Sequence, residues 1–155
     1  MKKVYIILIY ILCSTSVVAQ IETQMSFEIN EVLLCRGPMG GPKKIHIKVP
    51  SKYTKNITDY HDGLIHGYEF EDGSFLTIHC GSMIKLPFIQ GENIIVTLRK
   101  GDRREGVEKP TGRYWREENH GKFNIYYYNV KKEQKVLFDK ILDEIAKKLS
   151  ENRLE

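Results

Sequence analysis

Two runs of alternating side chains face each other across an Asp-Gly pair near the middle of the chain. His66-Gly67-Tyr68-Glu69-Phe70 precedes Asp72-Gly73, and Ser74-Phe75-Leu76-Thr77-Ile78 follows it. Residues two apart on a strand share a face, and Asp-Gly supplies the left-handed backbone of a tight turn, so the segment predicts a β-hairpin. If Asp72 and Gly73 alone form the turn, Phe70 lies opposite Phe75 and His66 opposite His79. If Glu71, Asp72 and Gly73 form a three-residue loop with Gly73 left-handed, Tyr68 lies opposite Leu76 and His66 opposite Ile78. The second register puts Tyr68, Phe70, Leu76, Ile78 and Cys80 on one face, so burial favours it.

Strand signals recur on both sides of this hairpin. Ile45, Ile47 and Val49 alternate with His46 and Lys48 before Pro50, and Ile94, Ile95, Val96 and Leu98 mark another strand. Met25 to Cys35 is apolar-rich but mixed, and the glycine- and proline-dense Arg36 to Pro42 predicts a loop. Ser51 to Leu64 reads as polar and irregular, and Gly101 to Gly112 as a charged loop. A second hairpin is expected around Asn119-His120-Gly121. With a three-residue loop, Trp115, Phe123, Ile125 and Tyr127 share one face, and Tyr114, Arg116, Tyr126 and Tyr128 share the other. The first set is the more apolar and is assigned to the core.

From Lys131 to Leu149 the period becomes helical, with Phe138, Ile141, Leu142, Ile145 and Leu149 along one stripe and Asn129 as the expected N-cap. The expected fold is α+β: a mainly antiparallel sheet of about five or six strands with a C-terminal helix packed on one face.

The N-terminus predicts export. Lys2 and Lys3 precede the apolar run Val4 to Cys13, and Val17-Val18-Ala19 supplies small residues for cleavage, the pattern of a secretory signal peptide over residues 1–19. Val4 to Ala19 is short for a membrane span, which needs about 20 apolar residues. Leu12 before Cys13 does not suit lipid attachment. Residues 20–155 are then expected to form a single globular domain, periplasmic or secreted, with no stable membrane span after cleavage. The chain carries a formal charge of +4, and losing Lys2 and Lys3 leaves +2, with both signs interspersed. That balance argues against a nucleic-acid partner. Cleavage also removes Cys13, leaving Cys35 and Cys80. An even pair in an oxidising compartment predicts a disulfide, the alternative being two free buried thiols.

Catalytic signatures are missing from the sequence. His61, His66 and His79, with Asp59 and Asp62, lack the spacing of a metal site. Gly73-Ser74 and Gly81-Ser82 are turn residues without the Gly-x-Ser-x-Gly of a nucleophile elbow. Gly37 to Gly41 lacks the Lys-Ser end of a P-loop. No cofactor is expected. The strongest candidate is a binding surface in which Tyr114, Tyr126 and Tyr128 form a cross-strand ladder beside Arg116, with Arg103 and Arg104 close by, because Tyr and Arg dominate protein interfaces.

Tyr68-Glu69-Phe70-Glu71-Asp72-Gly73-Ser74, Gly112-Arg113-Tyr114-Trp115-Arg116-Glu117 and Phe138-Asp139 in a closing helix together resemble small exported proteins of Bacteroidetes-type bacteria. The pattern is also similar to the PsbP/Mog1-like α+β sandwich, a curved antiparallel sheet backed by helices. The resemblance implies binding and accessory roles and carries over no catalytic residue. The expected function is that of an exported, non-enzymatic binding or accessory protein of the cell envelope: a complex subunit, an inhibitor or an immunity protein. Its expected partner is another protein of the envelope or exterior. The alternative is a small hydrolase or metal-dependent enzyme using His61, His66 and His79.

Overall fold

The computed structural model describes residues 27–35, 43–60, 63–81 and 87–151. The signal-peptide reading, Cys13, His61 and Asp62 lie outside them. Among the described residues nine strands precede a helix: β1 (Phe27–Cys35), β2 (Lys43–Pro50), β3 (Tyr53–Tyr60), β4 (Gly63–Phe70), β5 (Phe75–Cys80), β6 (Ile94–Lys100), β7 (Arg103–Glu108), β8 (Tyr114–His120) and β9 (Phe123–Val130). A 3-10 turn, Lys132–Gln134, leads into α1 (Lys135–Glu151). Seven strands form one antiparallel sheet in the order β3-β4-β5-β9-β8-β7-β6, and β1-β2 form a separate ribbon. The fold is thus a mainly antiparallel sheet with a C-terminal helix, with more strands than the five or six expected.

The central hairpin adopts the three-residue register. Tyr68 pairs with Leu76 and His66 with Ile78, and Gly73 has φ +80°. The Asp72 carboxylate accepts hydrogen bonds from Ser74 N (3.1 Å) and Ser74 Oγ (2.6 Å), fixing the loop from within. Burial alone would raise the Asp72 pKa, but these two bonds, together with Gln134 and the Lys131 charge, outweigh it and hold the group below its ordinary value.

One face of the sheet is covered by α1, whose predicted stripe Phe138, Ile141, Leu142, Ile145 and Leu149 is entirely buried. Phe138 meets Phe70 and Tyr127 edge-on at centroid distances of 5.4 and 5.7 Å. Ile45, Ile47 and Val49 of the ribbon join the same core as Tyr68, Leu76, Ile78, Cys80 and Ile125. Fully burying one such side chain contributes about 1.5–3 kcal/mol.

The two additional strands of the large sheet come from segments read as irregular. β3 is an edge strand in which Asn56, Ile57, Thr58 and Asp59 are all exposed, so no apolar alternation marks it. β7 sits inside the sheet, but its partners across β8 are charged: Arg103 pairs with Glu118, Arg104 with Glu117 and Glu105 with Arg116. Cross-strand opposite charges there stand in for the hydrophobic pattern that identifies a strand in sequence.

The second hairpin differs from expectation in register. Its turn is Gly121-Lys122, with His120 paired to Phe123 and Glu118 to Ile125. Gly121 takes φ +72°, and its N–H is accepted by Asn119 Oδ1 at 3.1 Å. Since strand faces alternate, the shift turns β8 over relative to β9. Arg116 therefore lies opposite Tyr127 on the helix side, and Trp115 lies on the other face. Farther along, Tyr114 pairs with Val130, so Tyr128 and Asn129 share the space opposite Trp115 as a β-bulge. Asn129 has φ +60° and donates from Nδ2 to Gly73 O at 2.7 Å, so it is a bulge residue and not the expected N-cap.

Candidate functional site

The register of β8 divides the six residues expected to form one binding surface between two faces. Arg116 is 1% exposed beneath α1. Its Nε donates to Glu118 Oε1 at 2.7 Å, Nη1 to Asp139 Oδ1 at 3.2 Å, and Nη2 to Asp143. These carboxylates overcome the cost of burying the cation and push its pKa further up. Arg103, on the same side, bonds Glu105 and lies 3.7 Å from Glu118. Tyr114 is half-buried there, with Lys135 Nζ 5.8 Å from its ring centroid.

The same network includes Tyr127 and Asp139. Tyr127 Oη donates to Asp139 Oδ1 at 2.8 Å, and Lys135 also bonds Asp139. Partial burial works to raise the Asp139 pKa, but hydrogen bonds from Lys135, Tyr127 and Arg116 hold it low. Glu118 follows the same logic, with His120 and Arg116 as the donors that outweigh burial. Every charge in this cluster has an opposite partner, and Lys135, Asp139 and Asp143 among them belong to α1, so the pairs tie the helix to β7 and β8.

The opposite face carries the remaining candidates. Tyr126 and Tyr128 of β9, with Phe75 and Thr77 of β5, form the floor of an open cleft of about 340 Å³. Phe88, Ile89 and Gln90, from the segment between β5 and β6, and Ile94 at the start of β6 form its wall. The Phe88 and Tyr126 rings lie 5.2 Å apart at 32°. Tyr128 Oη donates to Glu108 Oε1 at 2.7 Å, which pushes its pKa up to about 12.

The wall is held from below by Glu117 on β8, which is fully buried. Its Oε2 accepts the backbone N–H groups of Phe88 (3.0 Å) and Ile89 (3.1 Å), while Oε1 pairs with Arg104. The Arg104 guanidinium lies 5.6 Å from the Trp115 ring centroid, so Arg104 stacks inside this face instead of extending from it. Behind Phe88 lies His79, its Nδ1 accepting from Asn124 Nδ2 at 3.2 Å. Burial pushes the His79 pKa down, favouring the neutral ring.

His66 shares a face with Ile78 and His79 occupies the other, so the hairpin keeps these two histidines on opposite sides of the sheet. Among the described residues, no three His, Cys, Asp or Glu side chains converge as metal ligands.

Sequence reasoning singled out Tyr126 and Tyr128 but missed Phe75, Phe88 and Gln90. Phe88 follows Pro87 in a segment without strand or helix periodicity, and its position depends on Glu117, 29 residues further along the chain. No helix among the described residues is long and apolar enough to cross a membrane. Comparison of the chain with known protein families, with curated proteins and with solved structures returns no match.

Proposed function

We propose that this chain is an exported, non-enzymatic binding or accessory protein of the bacterial cell envelope, and that it holds its partner in the cleft lined by Tyr126 and Phe88. The observation that carries this reading is the arrangement of four aromatic side chains, Phe75, Phe88, Tyr126 and Tyr128, around one open cavity. Ligand sites are typically concave, ring-lined and furnished with a few polar groups, in the size range of about 300–1,000 Å³. The buried Glu117 gives the wall a fixed anchor, so the cleft is preformed and loses little entropy on binding.

The case for a tyrosine–arginine protein interface weakens, because Arg116 is enclosed and Arg103 and Arg104 are both paired with carboxylates. An envelope-complex subunit, an inhibitor and an immunity protein all remain compatible with a cleft-based contact. The opposed faces of His66 and His79 weigh against an enzyme built on that pair.

Mild crosslinking and capture of the tagged protein from its envelope fraction tests the reading. The expected result is a retained component that is lost with Tyr126→Ala, while the variant keeps its unfolding free energy within about 1 kcal/mol of the parent. Capture that is indifferent to both Tyr126→Ala and Phe88→Ala would overturn the cleft as the contact.

A further inference from the structure

Resting on the cleft as the binding site, we propose that its ligand is a neutral carbohydrate, a mono- or disaccharide unit, stacked on the tyrosine and phenylalanine rings. Three features of the cavity lead there.

The first is charge. Among the described residues that line it there is no carboxylate, ammonium or guanidinium group. Nearby Glu108 is engaged by Tyr128 and Thr111, and Glu117 and Arg104 are paired to each other. A charged ligand would leave water without a counter-charge, at a cost that rings and amides do not offset.

The second is the mixture of ring faces with neutral hydrogen-bonding groups. Thr77 contributes a hydroxyl, Gln90 an amide, and Tyr126 a phenol. Tyr126 is half-buried, Gln90 exposed and Thr77 only 8% exposed, so the phenol and the Gln90 amide are the groups most open to a ligand. A purely apolar ligand would strip water from these groups and return nothing. A pyranose ring matches both requirements, since its C–H face lies against the electron-rich face of an aromatic ring and its hydroxyls ring the edge.

The third is the position of the floor within the sheet. β5 is paired on both sides, to β4 and β9, and β9 is paired to β5 and β8. The floor therefore presents no free strand edge, and an extended peptide could not dock by adding a strand. Recognition at this place must be made by side chains, which suits a compact ring better than a polypeptide segment.

The test titrates the purified exported protein with neutral disaccharides (cellobiose, maltose and N,N′-diacetylchitobiose), with digalacturonic acid, and with the blocked peptide acetyl-Gly-Phe-Gly-amide. Amide chemical shifts of residues 75–77, 88–90 and 126–128 are the readout. The expected result is saturable binding of at least one neutral disaccharide, with shifts confined to those residues. Tyr126→Ala should weaken it about tenfold, and Tyr126→Phe, which keeps the ring, only a few-fold. Binding of the peptide but no neutral sugar would overturn the carbohydrate assignment and leave the cleft as a binding site. Stronger binding of digalacturonic acid than of any neutral sugar would also overturn it. Sugar binding unaffected by Tyr126→Ala would place the sugar elsewhere, and no binding by any probe at millimolar concentration would count against both the ligand and the cleft.

Discussion

The backbone N–H of Phe88 donates to the buried carboxylate of Glu117 at 3.0 Å, so one side chain on β8 fixes the wall of a cleft whose floor belongs to β5 and β9. The same carboxylate is the partner of Arg104. Glu117→Ala would leave that guanidinium and two amides without acceptors. A loss of about 3–5 kcal/mol in urea unfolding is expected, as for other broken buried pairs. Glu117→Gln keeps a carbonyl oxygen for the amides and should cost less. Hydrogen exchange at Phe88 and Ile89 should accelerate in both variants, and unchanged protection at those amides would show that Glu117 does not hold the wall.

Helix α1 is seated in part by Arg116, and its partners differ in exposure: the Glu118 side chain is 8% exposed and that of Asp143 61%. Arg116→Met takes the closest cation from buried Glu118, which keeps His120 and Arg103, and one of three donors from Asp139, so it should destabilise by about 2–3 kcal/mol. Asp143→Ala removes a partner that water already screens, so it should cost about 0–1 kcal/mol. Urea midpoints for the two variants check the ordering. Equal losses would mean that the solvent-exposed contact is worth as much as the enclosed one.

What the sequence disclosed and what it hid divide along one physical line. Tyr68, Leu76 and Ile78 are apolar and alternate, so their face and register are legible from the order of residues in the chain, and so is the Phe138 to Leu149 stripe. Trp115 is buried as its hydrophobicity implies, but on the face opposite Tyr127, and Arg116 takes the helix side, because the turn at Gly121-Lys122 decides the register. A buried arginine can occupy a core-facing position when three carboxylates reach it, and two of those, Asp139 and Asp143, come from a helix more than twenty residues away. β7 was hidden for the same reason, its pairing written in charges. The tyrosines of the cleft were visible, but the ring that faces them was not, because a backbone-to-carboxylate contact leaves no periodic trace.

Stability should fall in two stages on acidification. His79 has its folded pKa pushed below the unfolded value of about 6.5, so the unfolded state takes up the extra proton and stability declines as pH drops below about 7. Glu118, Asp139 and Asp72 have depressed folded pKa values, so their contribution is present above about pH 5 and is lost as pH falls through the folded values. At the alkaline end, raised pKa values of Tyr127 and Tyr128 make stability decline above about pH 10. Urea midpoints from pH 3 to 11 measure the profile, and His79→Gln should flatten the limb between pH 5 and 7 while leaving the carboxylate limb in place.

Gly106 lies where β6, β7 and Trp115 meet. A Cβ there would stand 1.8 Å from the carbonyl oxygen of Ile95 and 2.9 Å from Trp115 Cζ2. Backbone cannot yield as a flexible side chain does, so Gly106→Ala must separate β6 from β7 or displace the indole, at a cost of about 3 kcal/mol. Gly67 supplies the control, since its added Cβ would meet nothing nearer than Asn56 O at 3.7 Å. Gly67→Ala should stay within about 1 kcal/mol of the parent, and similar midpoints for the two variants would contradict the close approach at Gly106.

A Cys35–Cys80 disulfide is proposed as the covalent tie between ribbon and sheet. Cys80 is 1% exposed at the end of β5 and pairs across the sheet with Leu64 of β4. β1, which ends at Cys35, packs against β4. Closing a loop of that length stabilises by about 4 kcal/mol in the chain-entropy account. Protein denatured without reductant and then treated with an alkylating agent should gain no mass at Cys35 or Cys80, and a non-reducing digest should contain the two peptides joined. With reductant present, both residues should alkylate and the urea midpoint should fall. Two alkylations without reductant would establish the pair as free thiols, and the ribbon would then depend on Ile45, Ile47 and Val49 for its hold on the core.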